Sequence, residues 1–572
     1  MKKITIRMKI DNTKLWMIAL PLLFMTSSCE KFLAEEPETQ YTADNFFVDK
    51  VTLDAGLVGM YSSAKDLFGV YTNTPLFMTE LGTDEAMFKG STGVRFNFDR
   101  YTFSINEGAV GEYWFRHYEI AARANVLIDA AQKVEAITEA QRNEVLGEAR
   151  FIRAFVYFRL VQAFGELPIV AEPITGEFDY GLPRRPISEV YDFILEDLRF
   201  ATGEGILTTA KTNNGHANHW AAKTLLGKVY LTMASAKEAA KVPGYAGIPQ
   251  PSDELYTLAW ETLKDVKDNS GAELLPVYGD VFKIENKNVN KESIFELQFS
   301  AVVPYGTQWT KEYGMIASGT INGNPAYHTN AMIGQCNLVY VPKFYTYYKP
   351  SLDAPDYDVR RLWNLTDSMV NVINNVPDSL TYIWGTAYSP DNYNQVVMGR
   401  CGVTKYRWGD SWRETSDYLY SNAPNNVIVL RFADVLLMFA EADYKKNGVI
   451  SDEGLEAINQ VRQRARGLGA NGLPIPESET PGFLNYTASD IDMEEIMMER
   501  ARELCFEFQR WFDLARTGMF EYFLEKTRSA SFTTIVNTST NFDPAKHYLF
   551  PIPQSQIDLS TNPEGFQQNP NY

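Results

Sequence analysis

Residues 114–128 read WFRHYEIAARANVLI, and residues 145–165 read VLGEARFIRAFVYFRLVQAFG. In the first stretch Trp114, Tyr118, Ala121, Asn125 and Ile128 recur at intervals of three and four, and in the second Val145, Ala149, Ile152, Val156 and Ala163 follow the same rhythm. That spacing places each set along one face of an α-helix. Thr138 stands where the second helix needs an N-cap, and Gly165 ahead of Pro168 supplies its stop. Two such helices joined by a short polar link form a hairpin, which buries its apolar face only by stacking on further helices.

Outward from this pair, helical periodicity returns at Ser188 to Ala201, His216 to Ala234, Leu255 to Asp268, Ala433 to Lys446 and Leu455 to Arg466. The expected fold is mostly α, with tetratricopeptide-like helical hairpins stacked into a superhelical scaffold. No repeated sequence signature accompanies the pairing, so the repeat is one of architecture. Trp114, Phe155, Tyr230 and Trp511 fall on periodic faces and are expected in the core. A last helix is predicted from Met493 to Arg516, with Met497, Ala501, Leu504, Cys505, Phe508, Trp511, Phe512 and Ala515 as its apolar stripe. Along its polar side Glu499 with Arg502, Glu507 with Arg510, and Asp513 with Arg516 stand three apart, the spacing of scaffold ion pairs.

Between residues 280 and 430 Gly, Asn, Pro and Tyr become frequent, helical rhythm fades, and Ser293 to Phe299 alternates like a strand. One domain over residues 29–572 is therefore expected. It has an N-terminal helical half (29–279), a loop-rich insertion with short strands (280–430), and a C-terminal helical half with a tail (431–572). Long loops within a compact domain are usually functional.

The chain of 572 residues, 45% hydrophobic and 22% charged, is long enough for a large core. Its net charge of -19 includes about +4 from the first 28 residues, so the remainder carries about -23. Such a surface repels phosphate backbones and anionic headgroups, which argues against nucleic-acid partners and against membrane attachment through a basic patch. Cys336, Cys401 and Cys505 are far apart, with no metal-binding spacing, and are expected as buried thiols. The five His occupy no HExxH pattern; His216 and His219, three apart, read as surface or capping residues. No GxSxG elbow, phosphate loop or dinucleotide fingerprint occurs, so neither a cofactor nor a metal is expected.

Aromatic residues make up 13% of the chain, with 32 Tyr and 34 Phe. Flat rings flanked by Asn, Gln or Arg suit sugars, whose C–H faces stack on rings while their hydroxyls need polar partners. Three loop regions qualify. The first contains Phe88, Arg95, Phe96, Asn97, Phe98 and Tyr101; the second Tyr305, Gln308, Trp309, Tyr313, Asn322, Asn324 and Tyr327; the third Trp384, Tyr388, Asn392, Tyr393 and Asn394. The candidate site centres on Trp309. Asp84 and Glu85 are read either as contacts to sugar hydroxyls or as turn caps.

Five Lys/Arg residues up to Lys14, the apolar run Leu15 to Met25, and Thr26-Ser27-Ser28-Cys29 form a leader over residues 1–28. Its apolar run is too short to span a bilayer, which favours a cleaved export signal. Small residues before a lone Cys resemble a bacterial lipoprotein cleavage site with Cys29 lipidated, although Thr26 stands where Leu is commonest. The competing reading is an ordinary signal peptide followed by a coincidental Cys.

Together with these features, a series of blocks resembles the SusD/RagB family of outer-membrane lipoproteins from Bacteroidetes-type bacteria. They include Cys29-Glu30-Lys31-Phe32-Leu33, Glu148-Ala149-Arg150-Phe151 and Phe164-Gly165-Glu166-Leu167-Pro168. Further along come Leu430-Arg431-Phe432-Ala433-Asp434, Glu499-Arg500-Ala501-Arg502-Glu503-Leu504 and Arg510-Trp511-Phe512-Asp513-Leu514. The tail Gln568-Asn569-Pro570-Asn571-Tyr572 matches as well, with Asn571 where Gly is more usual. The resemblance implies a helical scaffold of four tetratricopeptide-like pairs, a ligand face built from loops, and a SusC-type TonB-dependent barrel as partner in the outer membrane. It implies a binding protein rather than an enzyme, with glycan capture for import as the leading function. Oligopeptide capture, a secreted glycosidase, and a structural lid without ligand are the alternatives.

Overall fold

The hairpin read from the sequence forms and opens the helical series. A computed structural model describes residues 43–68, 74–88, 92–174, 179–211, 214–300, 302, 306–307, 313, 319–321, 324–327, 338–349, 354–366, 368–373, 376–383, 402–406, 423–528 and 541–572. The leader, Cys29, Cys336 and Cys401 lie outside these residues. Helix α1 (Lys50–Ala64) leads to the hairpin, α2 (Gly108–Lys133) and α3 (Glu139–Phe164). Thr138 caps α3 as predicted: its side chain accepts from Gln141 N–H while Gln141 reaches back to the Thr138 N–H. Such reciprocal capping contributes about 1 kcal/mol. Gly165 ends α3 at φ 73°, where a Cβ would come within 3.0 Å of Leu549.

Helices α4 (Ile187–Ala201), α5 (His219–Ala239), α6 (Ser252–Asn269), α7 (Phe432–Asn447) and α8 (Asp452–Ala465) continue the stack, each packing on its predecessor. Helix α5 starts three residues later than its periodicity suggests, because Asn218 takes the cap and accepts from Ala221 N–H. His216 therefore precedes the helix and shares no face with His219; its Nδ1 lies 2.8 Å from Glu148. Packing of α6 on α7 carries the stack straight across the insertion, which loops out of an otherwise continuous series. Helix α3 is buried on all sides rather than along one stripe, being flanked by α1, α2 and α4. Its Arg153 survives there by pairing with Asp197 at 2.7 Å and 2.8 Å.

The insertion is fastened at its neck. Strand β2 (Ser293–Leu297) pairs antiparallel with β4 (Val427–Arg431), and Thr307 exchanges both backbone hydrogen bonds with Ala423. Strand β1 (Ala86–Phe88) pairs with β3 (Leu338–Tyr340), tying the insertion to the N-terminal half.

The predicted Met493–Arg516 helix is two helices, α9 (Met493–Leu504) and α10 (Arg510–Thr517). Phe506 and Phe508 between them adopt φ 61° and 62°, a left-handed conformation costing roughly 1–2 kcal/mol per residue outside Gly. Two buried acids hold the break. Glu85 accepts from Phe506 N–H at 3.2 Å and Glu80 from Phe508 N–H at 2.6 Å. Burial pushes the Glu80 carboxyl up to about 8 against the pull of that N–H, and it pushes Glu85 up as well. Cys505, at the break, is buried as expected, its thiol raised by burial to about 12.

The charges of this region face inward rather than lining a polar surface. Glu499–Arg502 and Asp513–Arg516 do pair, at 2.8 Å and 2.9 Å. Glu507 and Arg510 part company because the break turns them apart. Glu507 meets Arg431 and Lys405. Arg510 grips Asp84 at 2.6 Å and 2.8 Å. Glu503 is shared by Arg360, Arg431 and Arg464, which hold its carboxyl down to about 2 despite burial. Arg360 and Lys405 belong to the insertion, so the network bolts it to the C-terminal helices.

The tail completes the hairpin. Asn569 donates to Phe164 O and Phe550 O at 3.0 Å and 2.7 Å, and Arg184 donates to Phe164 O and Gln567 O at 3.0 Å and 2.7 Å. With Phe550 N–H donating to Ala163 O at 2.7 Å, they satisfy two of the carbonyls that the end of α3 would otherwise leave open. Phe550 stacks on Trp511 with centroids 4.6 Å apart.

Candidate ligand-binding face

Pairing of β1 with β3 sets Phe88 opposite Leu338, so the start of the first loop region is joined to the insertion. Past β1 a seven-residue helix, Val94–Arg100, carries the rest of the first cluster. Arg95 and Phe96 are half-buried on it. The Arg95 guanidinium lies 5.0 Å from the Phe77 ring centre, and Phe96 sits 5.5 Å under Arg100. Phe98 and Tyr101 depart from the expected site: both are core, Phe98 stacked on Phe103 and Tyr101 donating to Gly82 O at 2.9 Å. Their rings fill the space between this helix and the tail, leaving Phe88, Arg95 and Phe96 as the accessible part of the cluster.

In the second region Thr307 and Tyr313 are both fully buried and bracket residues 308–312 in the sequence. Tyr313 was expected on an exposed platform and is instead core, its ring 5.7 Å from Phe506 at the helix break. Asn324 and Tyr327 open and close the strand Asn324–Tyr327, which pairs with Gly319–Ile321 and Ser368–Ile373. Tyr305, Gln308, Trp309 and Asn322 lie outside the described residues, as do Trp384, Tyr388, Asn392, Tyr393 and Asn394 of the third region.

Asp84 and Glu85 are neither sugar contacts nor caps. Both are fully buried, Asp84 accepting from Tyr347 O–H at 2.7 Å besides its Arg510 pair. Among the described residues no group of three His, Cys, Asp or Glu could hold a metal ion, and no helix is long and apolar enough to cross a membrane.

One well-formed surface cleft was not foreseen. It measures about 330 Å³ and lies between α2, the segment after α3, and the tail. Phe115 (58% exposed), Ile174 (51%), Tyr180 (47%) and Leu559 (51%) form its apolar wall. Its two acids are engaged: Glu119 holds Arg116 and Arg123, and Asp179 accepts from Gly181 N–H. A polyhydroxylated sugar would find few partners here, whereas another apolar surface would lose little. The available signal was Phe115, a large ring off the buried stripe of α2.

The described structure is thus a helical-repeat scaffold that displays a fastened, loop-rich insertion and commits its buried charges to holding itself together. The chain belongs to the SusD/RagB family. Residues 291–572 match the SusD family model, and residues 31–231 match a model described as starch-binding associating with outer membrane. SusD-like protein P2 of Formosa agariphila is 26% identical over 560 residues, covering 96% of this chain and 98% of the relative. The fold is similar to a SusD homolog from Bacteroides thetaiotaomicron, with TM-score 0.73 and 22% identity over 94% of this chain and all of that one. It is also similar to a laminarin-binding SusD-like protein, with TM-score 0.64 and 21% identity over 92% of this chain and all of that one.

Proposed function

We propose that this protein captures glycans at the outer membrane and passes them to a SusC-type TonB-dependent barrel. The observation that carries the reading is the match of residues 31–231 to a family described as starch-binding and associated with the outer membrane. A laminarin-binding relative of the same fold supports it. Cys29 serves as the lipidated anchor. The ligand face is built from loop aromatics, with Trp309 as the main platform, Tyr305 and Tyr327 beside it, and Gln308, Asn322 and Asn324 serving hydroxyls. Trp384, Tyr388 and Tyr393, and the exposed part of the first cluster, extend it. The role is capture without catalysis. Asp84 and Glu85 are buried and paired with Arg510, out of reach of a surface ligand.

The test is a binding screen of the soluble form beginning at Glu30 against neutral polysaccharides and oligopeptides, followed by calorimetry on Trp309→Ala. Retention by a glycan is expected, with affinity reduced by about 1–3 kcal/mol in the variant, the range for losing a stacking platform. Its melting temperature should not move. Binding of peptides alone would replace glycan by peptide as the cargo, and unchanged glycan affinity would remove Trp309 from the face.

A further inference from the structure

Arg159, on α3, is 93% buried, yet it is handled unlike the other buried arginines. Arg153, six residues earlier, has Asp197; Arg360, Arg431, Arg464, Arg500, Arg510 and Arg516 each hold at least one carboxylate. Among the described residues no carboxylate pairs with Arg159, and its Nε and Nη2 meet no hydrogen-bond acceptor. Its neighbours are ring faces: Phe68 at 4.9 Å, Phe512 at 5.4 Å, and Tyr113 and Phe155 at 5.9 Å. Cation–π contact favours the guanidinium but does not neutralise it, and an arginine stays protonated in any protein interior.

This side chain borders a cavity of about 50 Å³ between α3, α5, β4 and the start of α10. The other charged residues lining it are Lys228, Arg516, Glu507 and Asp513. Both acids are already matched twice, Glu507 by Arg431 and Lys405, Asp513 by Arg500 and Arg516. Lys228 holds Asp434 at 2.9 Å, and Arg516 also holds Glu441. Arg159 is thus the lining cation without a counter-charge. A water needs roughly 10–15 Å³ of such space. The cavity therefore exceeds one water, accommodates a monatomic anion with a water or two, and is too small for a sugar ring.

We propose that this cavity binds one small monovalent anion, with chloride the fitting ion, as the counter-charge of Arg159. The bound ion joins α3 and α5 of the N-terminal half to β4 at the neck of the insertion and to α10 of the C-terminal half. Because it binds the folded state alone, it raises stability with concentration.

The test uses the full mature chain. At constant ionic strength, replacing sodium gluconate by sodium chloride up to 300 mM should raise the wild-type melting temperature by roughly 2–4 °C. In Arg159→Met the two salts should give equal melting temperatures. Crystals soaked in sodium bromide should show an anomalous peak beside the Arg159 guanidinium, which keeps the proposal testable if the variant fails to fold. Equal wild-type melting in both salts, or a bromide-soaked cavity holding water alone, would overturn it.

Discussion

Replacing Arg431 by Met tests whether the buried charge network holds the insertion to the scaffold. Its guanidinium, 1% exposed, donates five hydrogen bonds. They run to both carboxylate oxygens of Glu507, to Glu292, to the Glu503 carboxylate and to the Glu503 carbonyl, at 2.7–2.8 Å. A methionine fills much of the volume and supplies none of them. Glu292 keeps Arg464, Glu503 keeps Arg360 and Arg464, and Glu507 keeps Lys405, so no acid is abandoned, but one negative charge is left in excess. The Glu503 carbonyl retains Tyr278 O–H and Lys405. Removing one partner from a buried pair costs about 3–5 kcal/mol, and these remaining contacts place the loss near 3 kcal/mol. At about 2 °C per kcal/mol for a large domain, melting should fall by roughly 6 °C. Denaturant titration should give the same loss with an unchanged slope. The double variant Arg431→Met with Glu507→Gln removes the excess charge and should recover at least about 1 kcal/mol. A single-variant loss below about 1 kcal/mol, or a double variant less stable than the single, would refute the account.

Three further outcomes are expected. Glu80→Gln mimics the protonated acid. Because burial raises the folded carboxyl from 4.5 to about 8, wild-type stability from this group is complete below pH 4.5 and is lost as pH rises towards 8. The stability of the variant relative to wild type should therefore climb by up to about 1.4 kcal/mol per pH unit between pH 5 and 8 and level off above; parallel curves would show that Glu80 stays ionised. Thr138→Ala should cost about 1 kcal/mol in equilibrium unfolding, with Thr138→Ser close to wild type. Cys29→Ala should leave a folded protein in the soluble fraction of cells lacking the partner barrel, read by membrane fractionation, since multiple acyl chains would supply the anchorage.

Much of the scaffold was legible because helical periodicity is a local property: α2 and α3 extend a few residues past their apolar stripes, and Thr138 caps as read. What was missed depends on contacts remote in sequence. Nothing between Cys505 and Gln509 signals a break, since there is no Gly or Pro. The acids that hold it, Glu80 and Glu85, lie more than 400 residues away. The same break explains why Glu507 and Arg510 do not pair and why Tyr313, with an aromatic ring to pack beside Phe506, is core. The candidate face was legible only as a kind of residue in a kind of loop. A ring in a loop belongs to surface or core according to whether a neighbouring element leaves it a space, and for Phe98, Tyr101 and Tyr313 one did.

The clasp between the tail and the first hairpin also sets an order in time. Arg184 meets Asn569 across 385 residues, and at roughly 5–20 residues per second the ribosome needs roughly 20–80 s to make the second after the first. For nearly all of that interval the Ala163 carbonyl near the end of α3 lacks the Phe550 N–H it accepts in the finished fold, and Trp114 lacks the cover of Phe566. The hairpin that begins the scaffold is covered only once the tail has been made, so a chain lacking the tail presents the Trp114 face to whatever holds it.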